Sequence, residues 1–205
     1  MPLFPHRIPN VVHHVRVKDE DGNFQWTHPT SHEIVGRGKN IIFSLPGAFT
    51  PTCSTYQLPD FEKLFPKFQE HGIENIFCLS VNDTFVMNCW AKDQNLEHVK
   101  VIPDGSGQFT GSMGMDVYKD NIGFGVRSWR YAIIVENFEI TKQFVERGFM
   151  HNAEDDPYGV SSPQNILDFL DGKEYDAGGE QLQLNLSDGV GLSLIHISEP
   201  TRPRS

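Results

Sequence analysis

The sequence predicts an α/β fold, and two observations point to it. Short apolar runs, Asn40 to Leu45 and Asn75 to Val81, are each followed by a stretch whose apolar residues recur every three or four positions. The helical stretches are punctuated, with Asn82-Asp83 opening one, Gly72 closing another and Gly172 closing a third.

In chain order, Val11, Val15 and Val17 alternate with polar residues and lead to Asp21-Gly22, an edge hairpin and its turn. Asn40 to Leu45 is the first buried strand. The helix that begins around Thr52 places Leu58, Phe61, Leu64, Phe65 and Phe68 on one face and stops near Gly72. Pro59 and Pro66 fall inside it and remove the bonds to the carbonyls of Thr55 and Glu62, so a kink is expected. After the strand Asn75 to Val81, a capped helix runs through Val86, Cys89 and Trp90, with Cys89 read as core. Lys100 to Ile102 reads as a strand and Pro103-Asp104-Gly105 as a turn. Trp129 to Glu136 and Ile140 to Val145 form a hairpin turning at Asn137, because Asn tolerates the left-handed conformation such turns need. The last helix has Ser162 as N-cap, Pro163 in its first turn and Ile166, Phe169 and Leu170 inward.

Residues 1–172 therefore read as one domain. From Lys173 to Ser205 the periodicity ends, and this stretch reads as a disordered tail. Its last part, Leu192 to Pro203, resembles a translated sequencing-adapter read-through, a sequence artefact, and is set aside from the functional reading. The net charge of −10, with no cluster of Lys and Arg, argues against nucleic acid as a partner. No apolar run is long enough to cross a bilayer, and Met1 to Arg7 lacks the apolar centre of a secretory leader, so a cytoplasmic location is expected. Three cysteines cannot form a disulfide framework and leave at least one thiol free. The His13-His14 and His28/His32 pairs belong to nine scattered histidines and read as surface or edge-strand residues, so neither a metal nor a bound cofactor is expected. The run Glu154-Asp155-Asp156 reads as a solvated loop.

The segment Ser44 to Ser54 carries the chemistry. It leaves an apolar strand and enters a helix at Cys53, where unpaired N–H groups and the helix dipole favour the thiolate, the nucleophilic form. Thr50 brings a hydroxyl that can donate and accept, and Pro46 can wall a pocket without adding a competing N–H. Arg130, flanked by apolar residues, is directed inward and needs an anion there. Arg127 lies on the opposite face of the same strand and stays an alternative cation if the strand phase is shifted.

Together, Pro46-x3-Thr50-x2-Cys53 within PGAFTPTCS, Ser80 to Met87, and Arg127-Ser128-Trp129-Arg130-Tyr131 resemble a type II peroxiredoxin of the peroxiredoxin-five subfamily over residues 9–171. The chain is most similar to the peroxiredoxin half of bacterial peroxiredoxin-glutaredoxin fusions, although no CxxC follows. The resemblance implies a thioredoxin-like fold, a central mixed β-sheet flanked by helices. It implies Cys53 as the peroxidatic cysteine, Thr50 and Arg130 as the groups that orient the peroxide, and Pro46 as a shield. The implied activity is a thiol peroxidase acting on hydrogen peroxide and small organic hydroperoxides through a sulfenic acid. Cys78 matches a resolving cysteine of some relatives and a buried core cysteine of others, and the core reading is preferred. A one-cysteine cycle with glutathione and glutaredoxin is then the first expectation, with thioredoxin as the other reductant. A homodimer contact around the Pro46 to Phe49 loop and the Asn82 to Phe85 turn is also implied. A peroxide sensor that relays oxidation of Cys53 to a partner is the competing function; a disulfide reductase would need vicinal cysteines that this chain lacks.

Overall fold

The computed structural model describes residues 4–178. Five strands make the central sheet: β3 (Lys39–Ser44), β4 (Asn75–Ser80), β5 (Lys100–Pro103), β8 (Tyr131–Glu136) and β9 (Glu139–Val145), in the order β5-β4-β3-β8-β9. β3, β4 and β5 run parallel, whereas β8 and β9 are antiparallel to their neighbours. Parallel strands need crossovers, and helices supply them: α2 (Leu58–Glu70, entered through a π-helical turn, Cys53–Gln57) between β3 and β4, and α3 (Thr84–Asp93) between β4 and β5.

Side chains alternate across a strand, so β3 sends Ile41 and Phe43 to one face and Ile42 to the other. On the first face they meet Phe61 and Phe68 of α2, Met87 and Trp90 of α3, and Ile166 and Leu167 of α5 (Pro163–Leu170). On the second face Ile42, Phe77 and Leu79 meet Val35 of α1 (Ser31–Val35), Phe109 of α4 (Gln108–Ser112) and Val117 of β6 (Asp116–Tyr118). A sheet covered on both faces explains why its strands read as continuous apolar runs rather than as alternating ones. The turn joining β8 to β9 has Asn137 at φ 50° and Phe138 at φ 73°, the pair of positive values that a two-residue hairpin uses.

Several expectations need correction. The N-terminal hairpin, β1 (Val15–Lys18) and β2 (Phe24–Thr27), forms its own two-stranded sheet and is no edge of the central one. Instead of one strand from Trp129 there are two, β7 (Val126–Ser128), which pairs with β6, and β8; Trp129 and Arg130 lie at the break between them. Cys89 is exposed rather than core, because α3 starts at Thr84 and buries Thr84, Met87 and Trp90. His13 is buried, with Nδ1 2.9 Å from the Pro103 carbonyl and Nε2 2.9 Å from Ser31 Oγ.

Residues 173–178, assigned to the tail, fold back on the domain. Lys142 Nζ donates to Tyr175 Oη at 2.7 Å, and the Tyr175 ring packs edge-on against Phe169. The Arg147 guanidinium grips Asp176 at 2.5 and 2.7 Å and, with the Gly178 amide, holds its carboxyl down at about 2. The rest of the expected tail, including Leu192 to Pro203, lies outside the described residues. No helix among the described residues is long and apolar enough to cross a membrane.

Candidate active site

The site is built where β3 ends and the long helix begins. Leu45 to Ala48 stay buried after the strand, and Phe49 then takes φ 62° with its ring half exposed. A bulky residue in the left-handed region is strained, and such strain persists where neighbours over-determine the loop. Two of those neighbours are visible. Asn82 Oδ1 accepts from the Ala48 N–H at 3.0 Å, and Arg127 Nη1 donates to the Pro46 carbonyl at 3.3 Å. Gly47 leaves room for that arginine, since a Cβ there would stand 2.8 Å from Arg127 Nη1.

The helix starts at Pro51, so Cys53 lies in its first turn, whose leading N–H groups have no acceptor within the helix. From Cys53 to Gln57 the backbone is π-helical, and the Leu58 N–H reaches the Cys53 carbonyl five residues back. Pro59 follows directly, so the expected irregularity takes the form of a π turn, a departure that occurs often at functional sites.

Cys53 is wholly buried, and Arg130 Nη1 donates to its Sγ at 3.4 Å. The same Nη1 donates to Gln57 Oε1, while Nη2 meets Asp156 Oδ1 at 2.5 Å. Arg130 is itself 1% exposed. Burial opposes its charge, but its interactions with Cys53 and Asp156 together outweigh burial and raise its pKa above the ordinary value. The Tyr158 ring stands 5.8 Å from the Arg130 guanidinium carbon, and its hydroxyl donates to Asp60 Oδ2 at 3.5 Å, spanning from the loop to α2. Trp90 Nε1 donates to Ser54 Oγ at 3.0 Å and braces the turn from α3.

Arg130 thus touches the sulfur, and Arg127 holds the Pro46 loop from outside. Thr50 Oγ1 donates to the Gly47 carbonyl at 2.8 Å, which leaves its lone pairs for an incoming O–H; among the described residues it makes no hydrogen bond to Sγ. Pro46 is buried beside it. Cys78 is buried on the same face of the sheet, inside a strand paired on both sides. The acidic run Glu154-Asp155-Asp156 is exposed, as expected, but the Asp156 carboxylate, 43% exposed, also turns inward to pair with the buried arginine. Gln57, Asp156 and Tyr158 were not anticipated. Gln57 lies four residues after Cys53, a spacing that places it on the same helix face and could have revealed it. For Asp156 no local pattern exists, because 26 residues separate it from Arg130.

Burial first, and the neighbouring Cys53 charge second, push the Cys78 thiol well above its ordinary value. The folded chain therefore keeps a proton that the unfolded chain releases. This contribution to stability is complete below about pH 8.5 and is lost as pH rises. In native protein at pH 8, iodoacetamide is expected to alkylate Cys89 and spare Cys78 until urea is added; peptide mass mapping reads the difference, and native labelling of Cys78 would contradict it.

The Redoxin family matches residues 19–156. A curated peroxiredoxin of Rhizobium etli is 54% identical over 168 residues, 80% of this chain and 94% of that protein. The chain belongs to the peroxiredoxins. It is also 43% identical to a hybrid peroxiredoxin of Haemophilus influenzae, over 80% of this chain and 64% of that one. Among solved structures, the Plasmodium falciparum antioxidant protein, a 1-Cys peroxiredoxin, superposes with a TM-score of 0.76 at 35% identity, covering 82% of this peroxiredoxin and 98% of that chain. Peroxiredoxins are thiol-dependent peroxidases, and the mixed sheet with its flanking helices is their thioredoxin-like fold.

Proposed function

We propose that this peroxiredoxin reduces hydrogen peroxide and small organic hydroperoxides at Cys53, through a sulfenic acid that glutathione and glutaredoxin then reduce. The observation that carries the reading is the Arg130 guanidinium on a wholly buried Sγ at a helix start. In the proposed step the Cys53 thiolate gives an electron pair to one peroxide oxygen and the O–O bond breaks. The other oxygen leaves with the bonding pair and takes a proton from solvent. Cys53 is left as Cys–SOH. Arg130, buried and already oriented, meets the charge that spreads over the oxygens, and Thr50 accepts from the peroxide O–H while Pro46 walls the pocket. Burial of Cys53 favours small peroxides over bulky ones.

Reduction by one cysteine is supported by the position of Cys78. Its strand is paired on both sides, with β3 and β5, so Cys78 is held inside the sheet and cannot swing out toward a reductant or a partner sulfur without breaking those pairings. Phe49 and Phe85 are each at least half exposed on the two surfaces proposed to meet in a homodimer. Intact-mass analysis after one equivalent of hydrogen peroxide, with and without glutathione, tests the cycle on wild type, Cys53→Ser and Cys78→Ser. The expected product is a single glutathione adduct that requires Cys53 and persists in Cys78→Ser. A loss of two hydrogens that requires both cysteines would overturn the one-cysteine route, and peroxidase turnover by Cys53→Ser would overturn the whole reading.

A further inference from the structure

We infer that Gln57 is a further catalytic residue: its amide Nε2 donates a hydrogen bond to the peroxide oxygen that Cys53 attacks and retains. The inference rests on the peroxidase reading above and adds a donor to it.

Three observations lead there. Gln57 is wholly buried, at the end of the π turn that Cys53 begins. Its Oε1 accepts from Arg130 Nη1. A guanidinium has no lone pair to offer, so the amide cannot be turned the other way, and the NH2 group must face away from the arginine. Among the described residues nothing accepts from that Nε2. A buried amide donor without a partner is costly, and such a group calls for an acceptor from outside the protein, a ligand or a water.

The amide is also tied to the reacting atom through a shared contact. One nitrogen, Arg130 Nη1, contacts both the Cys53 sulfur and the Gln57 oxygen, so the amide and the thiolate flank the same group. The inferred hydrogen bond therefore runs from Nε2 to the oxygen bonded to Sγ, whether that oxygen still belongs to the peroxide or has become the sulfenic hydroxyl. As Sγ forms its bond and the far oxygen leaves with the bonding pair, the retained oxygen keeps its hydrogen and presents lone pairs to Nε2. A carboxamide does not titrate, so this donor is present at every pH at which the thiolate reacts.

The test compares two second-order rates on full-length protein: Cys53 oxidation by hydrogen peroxide, followed by stopped-flow tryptophan fluorescence, and Cys53 alkylation by iodoacetamide. Both need the thiolate, and only the first has an oxygen for Nε2. Gln57→Met removes the donor at similar length, and Gln57→Glu keeps an acceptor for Arg130 without a donor. In each variant the ratio of oxidation to alkylation is expected to fall by about tenfold or more. A smaller fall in a folded variant overturns the inference, as does an equal loss of both rates, which is what a purely structural Gln57 gives. Should wild type oxidise no faster than free cysteine, the peroxidase reading fails first, and the variants then fail with it for a different and visible reason.

Discussion

Arg130→Met is expected to slow oxidation of Cys53 by hydrogen peroxide by about a hundredfold or more, the scale on which removal of one preorganised donor acts. The guanidinium is 1% exposed and is shared among the sulfur, Gln57 and Asp156, so its orientation is set before the peroxide arrives. Methionine fills much of the same space without charge. The stability cost is expected to stay at about 1–3 kcal/mol, since the buried acceptors left without a donor are Gln57 Oε1 and the weaker acceptor Cys53 Sγ; Asp156 is 43% exposed and returns to water. Arg130→Lys keeps the charge, but an ammonium cannot reproduce the fork that reaches sulfur, amide and carboxylate together, and an intermediate loss of roughly tenfold is expected. Arg127→Met gives the decisive comparison. Arg127 supports the Pro46 carbonyl rather than the sulfur, so its loss is expected to weaken the rate less than Arg130→Met does. Stopped-flow rates near threefold of wild type for Arg130→Met would remove this arginine from the mechanism.

The two arginines also show where the sequence stopped being readable. Strands β3 and β4 and helix α5 announced themselves through continuous apolar runs, a Ser162 cap and Pro163, all of them local signals. The turn Pro46 to Cys53 was legible for the same reason, since its residues are neighbours in the chain. Choosing between Arg127 and Arg130 required the strand phase, and the chain there breaks into β7 and β8 with Arg130 at the junction, where period-two alternation does not hold. Cys89 was misplaced because its side of α3 depends on where the helix begins. The short elements α1, α4, β6 and β7 carry too few residues for a period to register. Asp156 was hidden for a deeper reason. An acidic run in a polar loop looks solvated by composition, and only the tertiary path of that loop reveals that one of its carboxylates answers a buried cation.

That path depends on Glu146, and Glu146→Gln is expected to cost about 2–4 kcal/mol of stability. The carboxylate lies buried just beyond β9, where it accepts from the N–H groups of Gly159 at 2.9 Å, Val160 at 3.2 Å and Ser161 at 2.8 Å, and from Ser161 Oγ at 2.7 Å. Its own backbone joins the arginine segment: the Glu146 N–H donates to the Arg130 carbonyl at 3.2 Å, and its carbonyl accepts from Trp129 Nε1 at 2.8 Å. One residue therefore ties the junction that delivers Arg130 to the loop that delivers Asp156 and Tyr158. Glutamine keeps a single acceptor and turns an NH2 group toward donors, leaving buried N–H groups unanswered. Urea unfolding should show a lower midpoint with unchanged m-value. Amide exchange at Gly159, Val160 and Ser161 should accelerate beyond what the global loss explains, because their shared acceptor is gone. A cost below ~0.5 kcal/mol, or exchange no faster than the global change, would mean that the loop holds its place over Arg130 without this carboxylate.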